Sequence, residues 1–137
     1  MVGLLIWWPS RDPGKAPAGG DLFAVLPGRW AEGGDTAACA TAWQQITFDS
    51  APARMVITLP SGARDEYLIQ ALEPDRIISQ RVGDTTVDDD GLQVVWILIT
   101  TSDTSYVWRR RDWIPGHITE PIVRCSAATA SAAIIGP

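Results

Sequence analysis

The chain has 137 residues, 46% of them hydrophobic and 20% charged, enough for one sizeable core but hardly two. Its 11 basic and 16 acidic residues give a net charge of −5, which repels phosphate backbones and sets nucleic acid aside as a partner. Seven Trp stand against two Phe and two Tyr, and an indole, with its large apolar body and single donor, suits barrel interiors, interfaces and membrane boundaries.

Residues 2–8 (VGLLIWW) form an apolar run followed by Pro9, Ser10 and Arg11, after which Gly, Pro and Ala dominate up to residue 20. A helix of that length rises about 10 Å against a hydrocarbon core of about 30 Å, so the run cannot span a bilayer by itself. It also lacks the positive n-region and cleavage site of a signal peptide. An aliphatic stretch closing on paired Trp and then Pro and Arg nevertheless has the pattern of the interfacial end of a transmembrane helix. Two readings of Leu4, Leu5, Ile6, Trp7 and Trp8 therefore stand side by side. They are the end of a longer membrane anchor whose true start lies upstream of Met1, or a segment that packs on the domain or on a membrane-protein partner. Residues 9–20 read as a tether.

Residues 21–26 are expected to make one short helical turn with Asp21 as its cap. From there to residue 125 the hydrophobic period is mostly two, with turn residues arriving about every ten positions. Strands are expected over residues 28–32, 43–49, 54–59, 67–72, 77–82, 92–100, 105–111 and 118–125. In the third, Met55, Ile57 and Leu59 alternate with Arg54, Val56 and Thr58; in the fourth, Tyr67, Ile69 and Ala71 alternate with Leu68, Gln70 and Leu72. Such mixed faces belong to strands half exposed to water. Residues 92–100 (LQVVWILIT) are apolar almost throughout and read as a strand covered on both faces.

The connectors Pro60-Ser61-Gly62, Glu73-Pro74-Asp75, Asp88-Asp89-Asp90-Gly91 and Thr101-Ser102-Asp103 carry turn chemistry. Most are too short for a parallel crossover, so sequential neighbours pair as hairpins, and no helix of convincing length interrupts them. About eight short hairpin-linked strands can close on themselves and remove both edges. The expectation is an all-β, single antiparallel up-and-down β-barrel over residues 21–125, with a flexible N-terminal segment at 1–20 and a flexible tail at 126–137.

The two cysteines, Cys39 and Cys125, have no second Cys or His nearby, which excludes the local ligand pairs of a zinc site and the C-x-x-C of a redox motif. Closure puts the first strand beside the last, and a Cys39–Cys125 disulfide would staple that seam, implying an oxidising, extracytoplasmic compartment, periplasmic or secreted. Two buried free thiols are the alternative.

Gly28-Arg29-Trp30 opens the first strand after the expected helical turn, and Arg124 lies on the last strand. This pattern resembles the lipocalin and avidin superfamily, the calycins, in which a Gly-x-Trp on the first strand packs its indole against an Arg from the final strand at the closed end of the barrel. The resemblance implies that Trp30 and Arg124 form a structural plug and that the barrel mouth is the place for a ligand. This chain is shorter than the secreted lipocalins, with strands barely long enough for a deep cup.

No catalytic constellation stands out, and the chain reads as a non-enzyme without cofactor or metal. His117 is the only histidine, in a Pro-Gly turn, and no Gly-x-Ser-x-Gly elbow exists. The Asp88-Asp89-Asp90-Gly91 run lacks the alternate ligands and distal Glu of a calcium loop. Arg110 faces away from Arg109 and Arg111 if all three lie on a strand, which breaks up the basic patch. Two functions remain. One is an accessory or interaction protein, its barrel filled by its own side chains, that docks on a membrane or membrane complex through residues 2–8. The other is a lipocalin-like binder of a small apolar or aromatic ligand with Trp43, Trp96 and Trp108 as wall residues.

Overall fold

The structure, a computed structural model, describes residues 22–50 and 53–126. A single-turn helix α1 (Leu22–Val25) leads into β1 (Gly28–Glu32), and a second short helix α2 (Thr36–Thr41) separates β1 from β2 (Gln44–Asp49). There follow β3 (Arg54–Thr58), β4 (Arg64–Glu73), β5 (Arg76–Arg81), β6 (Trp96–Ser102), β7 (Ser105–Arg110) and β8 (Ile122–Arg124). Every strand pairs antiparallel with its neighbour in sequence, and β8 returns to β1, so the eight strands form a closed up-and-down barrel. Among the described strands, closure gives each a neighbour on both sides, which removes the open edges a flat sheet would present. The alternation also sorts the connections. Those after β1, β3, β5 and β7 gather at one end, here the upper rim, while α1 and the turns after β2, β4 and β6 gather at the base.

The inward face carries Trp30, Ile46, Met55, Ile57, Ile77, Leu98, Tyr106 and Ile122, which form one buried cluster with Leu22 and Leu26 beneath them. Leu22 and Leu26 are fully buried because α1 folds under the barrel, its single turn closed by the Leu26 N–H donating to the Leu22 carbonyl at 3.0 Å. The register bears out the period-two reading of β3 and modifies that of β4. A β-bulge between Ile69 and Ala71 shifts the pairing so that Leu72 stands opposite the buried Ile77. The inward set is therefore Tyr67, Ile69 and Leu72, and Ala71 leaves the face that simple alternation gives it.

Four elements differ from the sequence expectation. Residues 92–95 are not part of β6: the Val94 N–H donates to the Thr86 carbonyl and the Asp88 N–H to the Leu92 carbonyl, while Val87 bridges Gln93. These residues return on 86–88 as a small hairpin of their own. The last strand shrinks from residues 118–125 to Ile122–Arg124, since residues 113–117 turn locally, as in the turn closed by His117 N–H on the Ile114 carbonyl, and beyond them only Thr119 reaches the β7 backbone before β8, its N–H donating to the Trp108 carbonyl at 3.0 Å. In the other direction β4 extends to Arg64, and its charged start is held across the sheet by the Arg54–Glu66 and Arg81–Asp65 ion pairs. Finally, α2 was not expected. Asp35 caps it by accepting from the Ala37 N–H at 3.2 Å.

The helix α2 packs on the outer wall of β1. There Ala31, which points outward because Trp30 points inward, forms a small buried cluster with Cys39 and Cys125. Cys39 and Cys125 are disulfide-bonded, with a Cα–Cα separation of 5.7 Å. The bond pins α2 across the seam where the first and last strands meet. Among the described residues no helix is long and apolar enough to cross a membrane. Leu4, Leu5, Ile6, Trp7 and Trp8, like the tether and the tail from residue 127 on, lie outside the described residues.

Candidate functional site: an aromatic column and the rim above it

At the base, Trp30 is fully buried and its indole N–H donates to the Leu26 carbonyl at 2.9 Å. Trp30 and Arg124 are directly opposed in the β1–β8 pairing, so both face inward at the same level. The Arg124 guanidinium lies 4.4 Å from the centroid of the Trp30 ring and donates through Nη1 to the Pro27 carbonyl at 3.2 Å. Burial pulls the Arg124 pKa below its ordinary value. The approach requires a glycine at position 28: a Cβ there would come within 2.7 Å of Arg124 Nη1, and Gly28 holds φ at +133°, which disfavours any other residue.

From this plug a chain of aromatic contacts rises through the lumen. Trp30 meets Tyr106 edge-on at 4.9 Å, and Tyr106 meets Trp108, two residues on along the same face of β7, at 6.3 Å. Trp108 stacks on Tyr67 at 5.2 Å with an interplanar angle of 29°, and touches Trp96 at 6.1 Å. Because β4 and β7 are not neighbours in the barrel, the Tyr67–Trp108 stack reaches across the lumen. The Tyr67 hydroxyl is pushed up to about 12, first by burial and then by the nearby Asp65 carboxylate. Burial raises the Tyr106 hydroxyl too. Its O–H reaches Gln44 Oε1 at 3.5 Å, the outer limit of a hydrogen bond.

At the rim the column continues outward, Trp96 meeting Trp113 at 5.8 Å and Trp113 meeting His117 at 4.5 Å. The surrounding charges are largely spent on fixing the loops. Arg81 pairs with Asp65 at 2.6 Å, and Arg110 grips Asp112 through two bonds at 2.7 and 2.9 Å. Arg109 donates to the carbonyls of Trp113, Ile114 and His117. Asp84 accepts from the Thr86 N–H at 2.9 Å, and this bond is the main reason its pKa falls below the usual carboxylate value. Among the described residues, no group of three or more His, Cys, Asp or Glu side chains is placed to hold a metal ion.

The three Trp residues singled out as ligand walls separate. Trp96 and Trp108 face inward and belong to the column. Trp43 does not line the lumen. It lies on the outer wall, where the Arg29 guanidinium covers its ring at 3.9 Å, because Arg29 points away from the interior that its neighbour Trp30 fills. Sequence reasoning did not assign Tyr67, Tyr106, Trp113 and His117 to the column. The spacing of Tyr106 and Trp108, two apart on one strand, carried a usable signal, whereas the stack across the lumen depends on barrel closure.

No protein-family model, curated protein or solved structure matches this chain. A functional reading has to rest on the geometry above.

Proposed function

We propose that this chain is a non-enzymatic accessory domain of an extracytoplasmic compartment that acts through contacts made by its outer surface. The observation that carries the reading is the Tyr67–Trp108 stack across the lumen. A barrel that holds a small ligand needs a cavity of roughly 300 Å³ or more with polar groups converging on it. Here the rings of Trp30, Tyr106, Trp108, Tyr67 and Trp96 run from base to rim through the space such a ligand would occupy, which weighs against the lipocalin-like binder.

The Cys39–Cys125 bond supports an oxidising location, periplasmic or secreted. The Trp30–Arg124 plug supports a calycin ancestry in which the cup has been filled. Attachment to a membrane or membrane complex through residues 2–8 is part of the same proposal.

The test is a titration of the purified chain with an apolar fluorophore such as 1-anilinonaphthalene-8-sulfonate, read by energy transfer from tryptophan. The reading expects no saturable one-to-one binding that depends on Trp108 or Tyr67. Saturable binding that Trp108→Ala or Tyr67→Ala alters would establish the ligand-binding alternative in its place.

A further inference from the structure

Among the described residues, the large hydrophobic side chains left exposed are Phe23 at the base and five others: Val82, Val87, Leu92, Ile114 and Ile118. All five lie on two connections of the upper rim, the one from β5 to β6 and the one from β7 to β8. Their exposures run from 47% for Ile118 to 79% for Ile114. Together they present on the order of 500 Å², within the size range of the largest apolar patch on a typical monomer, which is often functional. The two connections adjoin. The Arg111 N–H donates to the Val95 carbonyl at 3.0 Å, and Trp96 touches Trp113 across the gap.

The patch is built and is not a loose loop. Val87 and Leu92 flank the tip of the 86–94 hairpin, whose turn is fixed by Asp88 Oδ1 accepting from the N–H groups of Asp90 and Leu92 at 2.9 and 3.1 Å. Arg109 holds the other connection through its three carbonyl bonds. The rim cations Arg81 and Arg110 are consumed by Asp65 and Asp112. Against the charges of Arg109 and Arg111 at this rim stand the carboxylates of Asp84, Asp88, Asp89, Asp90 and Glu120, so the net charge among the exposed apolar side chains is negative.

We propose that this rim docks a cationic amphipathic polypeptide segment, one that alternates apolar side chains with Lys or Arg. The inference rests on the surface-acting reading above and names the chemistry of its partner. A lipid surface fits poorly, because carboxylates at the point of insertion are repelled by anionic headgroups. A second copy of the chain fits no better. A two-fold contact through this rim would set each acidic hairpin against its equal. A basic segment satisfies both features, covering the aliphatic side chains while its cations meet the aspartates.

The probe is a twelve-residue synthetic peptide alternating Leu and Lys, compared with its Leu and Glu counterpart, titrated into the full chain and followed residue by residue by amide NMR. The Leu/Lys peptide is expected to shift the amides of Val87, Leu92, Ile114 and Ile118, and the Leu/Glu peptide to leave them in place. Added salt should weaken binding. Leu92→Ser combined with Ile114→Ser should lower affinity at least about tenfold, and Asp89→Asn with Asp90→Asn about fivefold at low salt. Asp49→Asn with Glu73→Gln at the base should change it less than about twofold. All these positions are exposed, so the variants retain the fold, checked by the same spectra. Binding that spreads over the barrel, that the Leu/Glu peptide matches, or that the base variants weaken equally would overturn the proposal. So would docking of anionic phosphatidylglycerol vesicles or self-association through these residues. Saturable binding of the apolar fluorophore that Trp108→Ala or Tyr67→Ala alters would instead break the underlying reading while leaving the peptide result to stand or fall separately.

Discussion

Removing the two halves of the base plug separately and together measures whether Trp30 and Arg124 act as one unit. Trp30 is fully buried in the main cluster, and Trp30→Ala should cost about 3–5 kcal/mol, the range for emptying a core aromatic site. Arg124→Ala removes a cation lying 4.4 Å from the indole centroid and one hydrogen bond to the Pro27 carbonyl. About 1 kcal/mol for each contribution gives a loss of about 2 kcal/mol. Once the indole is gone, half of the reason for Arg124 is gone too. The double variant should therefore fall short of the sum by about 1 kcal/mol, as residues in contact do. Urea unfolding followed by far-ultraviolet ellipticity under non-reducing conditions reads all four proteins without relying on tryptophan emission. Arg124→Lys should be intermediate, since an ammonium keeps the charge but loses the planar fork. Should Trp30→Ala fail to fold, Trp30→Phe keeps a ring under the guanidinium and loses the indole bond to Leu26. Additivity within about 0.3 kcal/mol would refute the plug as a coupled pair.

Three further outcomes can be measured. Gly28→Ala should destabilise by about 2 kcal/mol or more, because it combines a backbone at φ +133° with a Cβ lying 2.7 Å from Arg124 Nη1, and Arg124→Ala should relieve only the second part. Opening the Cys39–Cys125 bond, which spans 86 residues of sequence, should lower stability by about 4–5 kcal/mol in a chain-entropy account. Alkylation before and after reduction, read by intact mass, should report two thiols only in the reduced sample. The Tyr67 hydroxyl, raised from 10.0 to about 12 in the folded chain, binds its proton more tightly there than in the unfolded chain. Its contribution is thus fully present below about pH 10 and is lost as pH climbs to about 12, at up to about 1.4 kcal/mol per pH unit. Tyr67→Phe should flatten that alkaline decline, and a phenolate absorbance step near pH 10 in the native protein would contradict it.

How far the sequence foretold the structure depended on whether local pattern or closure decided each element. β1 matched its expected bounds because Gly28 and the Gly33-Gly34 pair punctuate it at both ends. The apolar run at residues 92–100 misled, since hydrophobicity alone cannot distinguish a strand continued into its neighbour from one that folds back on Thr86. The charged start of β4 shows no hydrophobic alternation in Arg64-Asp65-Glu66, and it becomes legible as strand only when Arg54 and Arg81 on the flanking strands meet Glu66 and Asp65. The helix α2 carried its signal in Asp35 as a cap before Thr36, but Ala, Thr and Cys give too little amphipathic contrast to register. Closure of the barrel set the rest. It placed Arg124 over Trp30, turned Trp43 outward beside Arg29, and brought Tyr67 against Trp108 from strands that share no hydrogen bond.

The central claim is that this barrel is filled by its own aromatic side chains and therefore acts through its surface. Crystals of the chain pressurised with xenon test it directly, because xenon enters apolar voids that remain dry in water. The account predicts no xenon between the Trp30 plug and the Tyr67–Trp108 stack. A xenon atom bound in the lumen against Tyr67, Trp96 and Trp108 would contradict it and return the barrel to the class that holds a ligand.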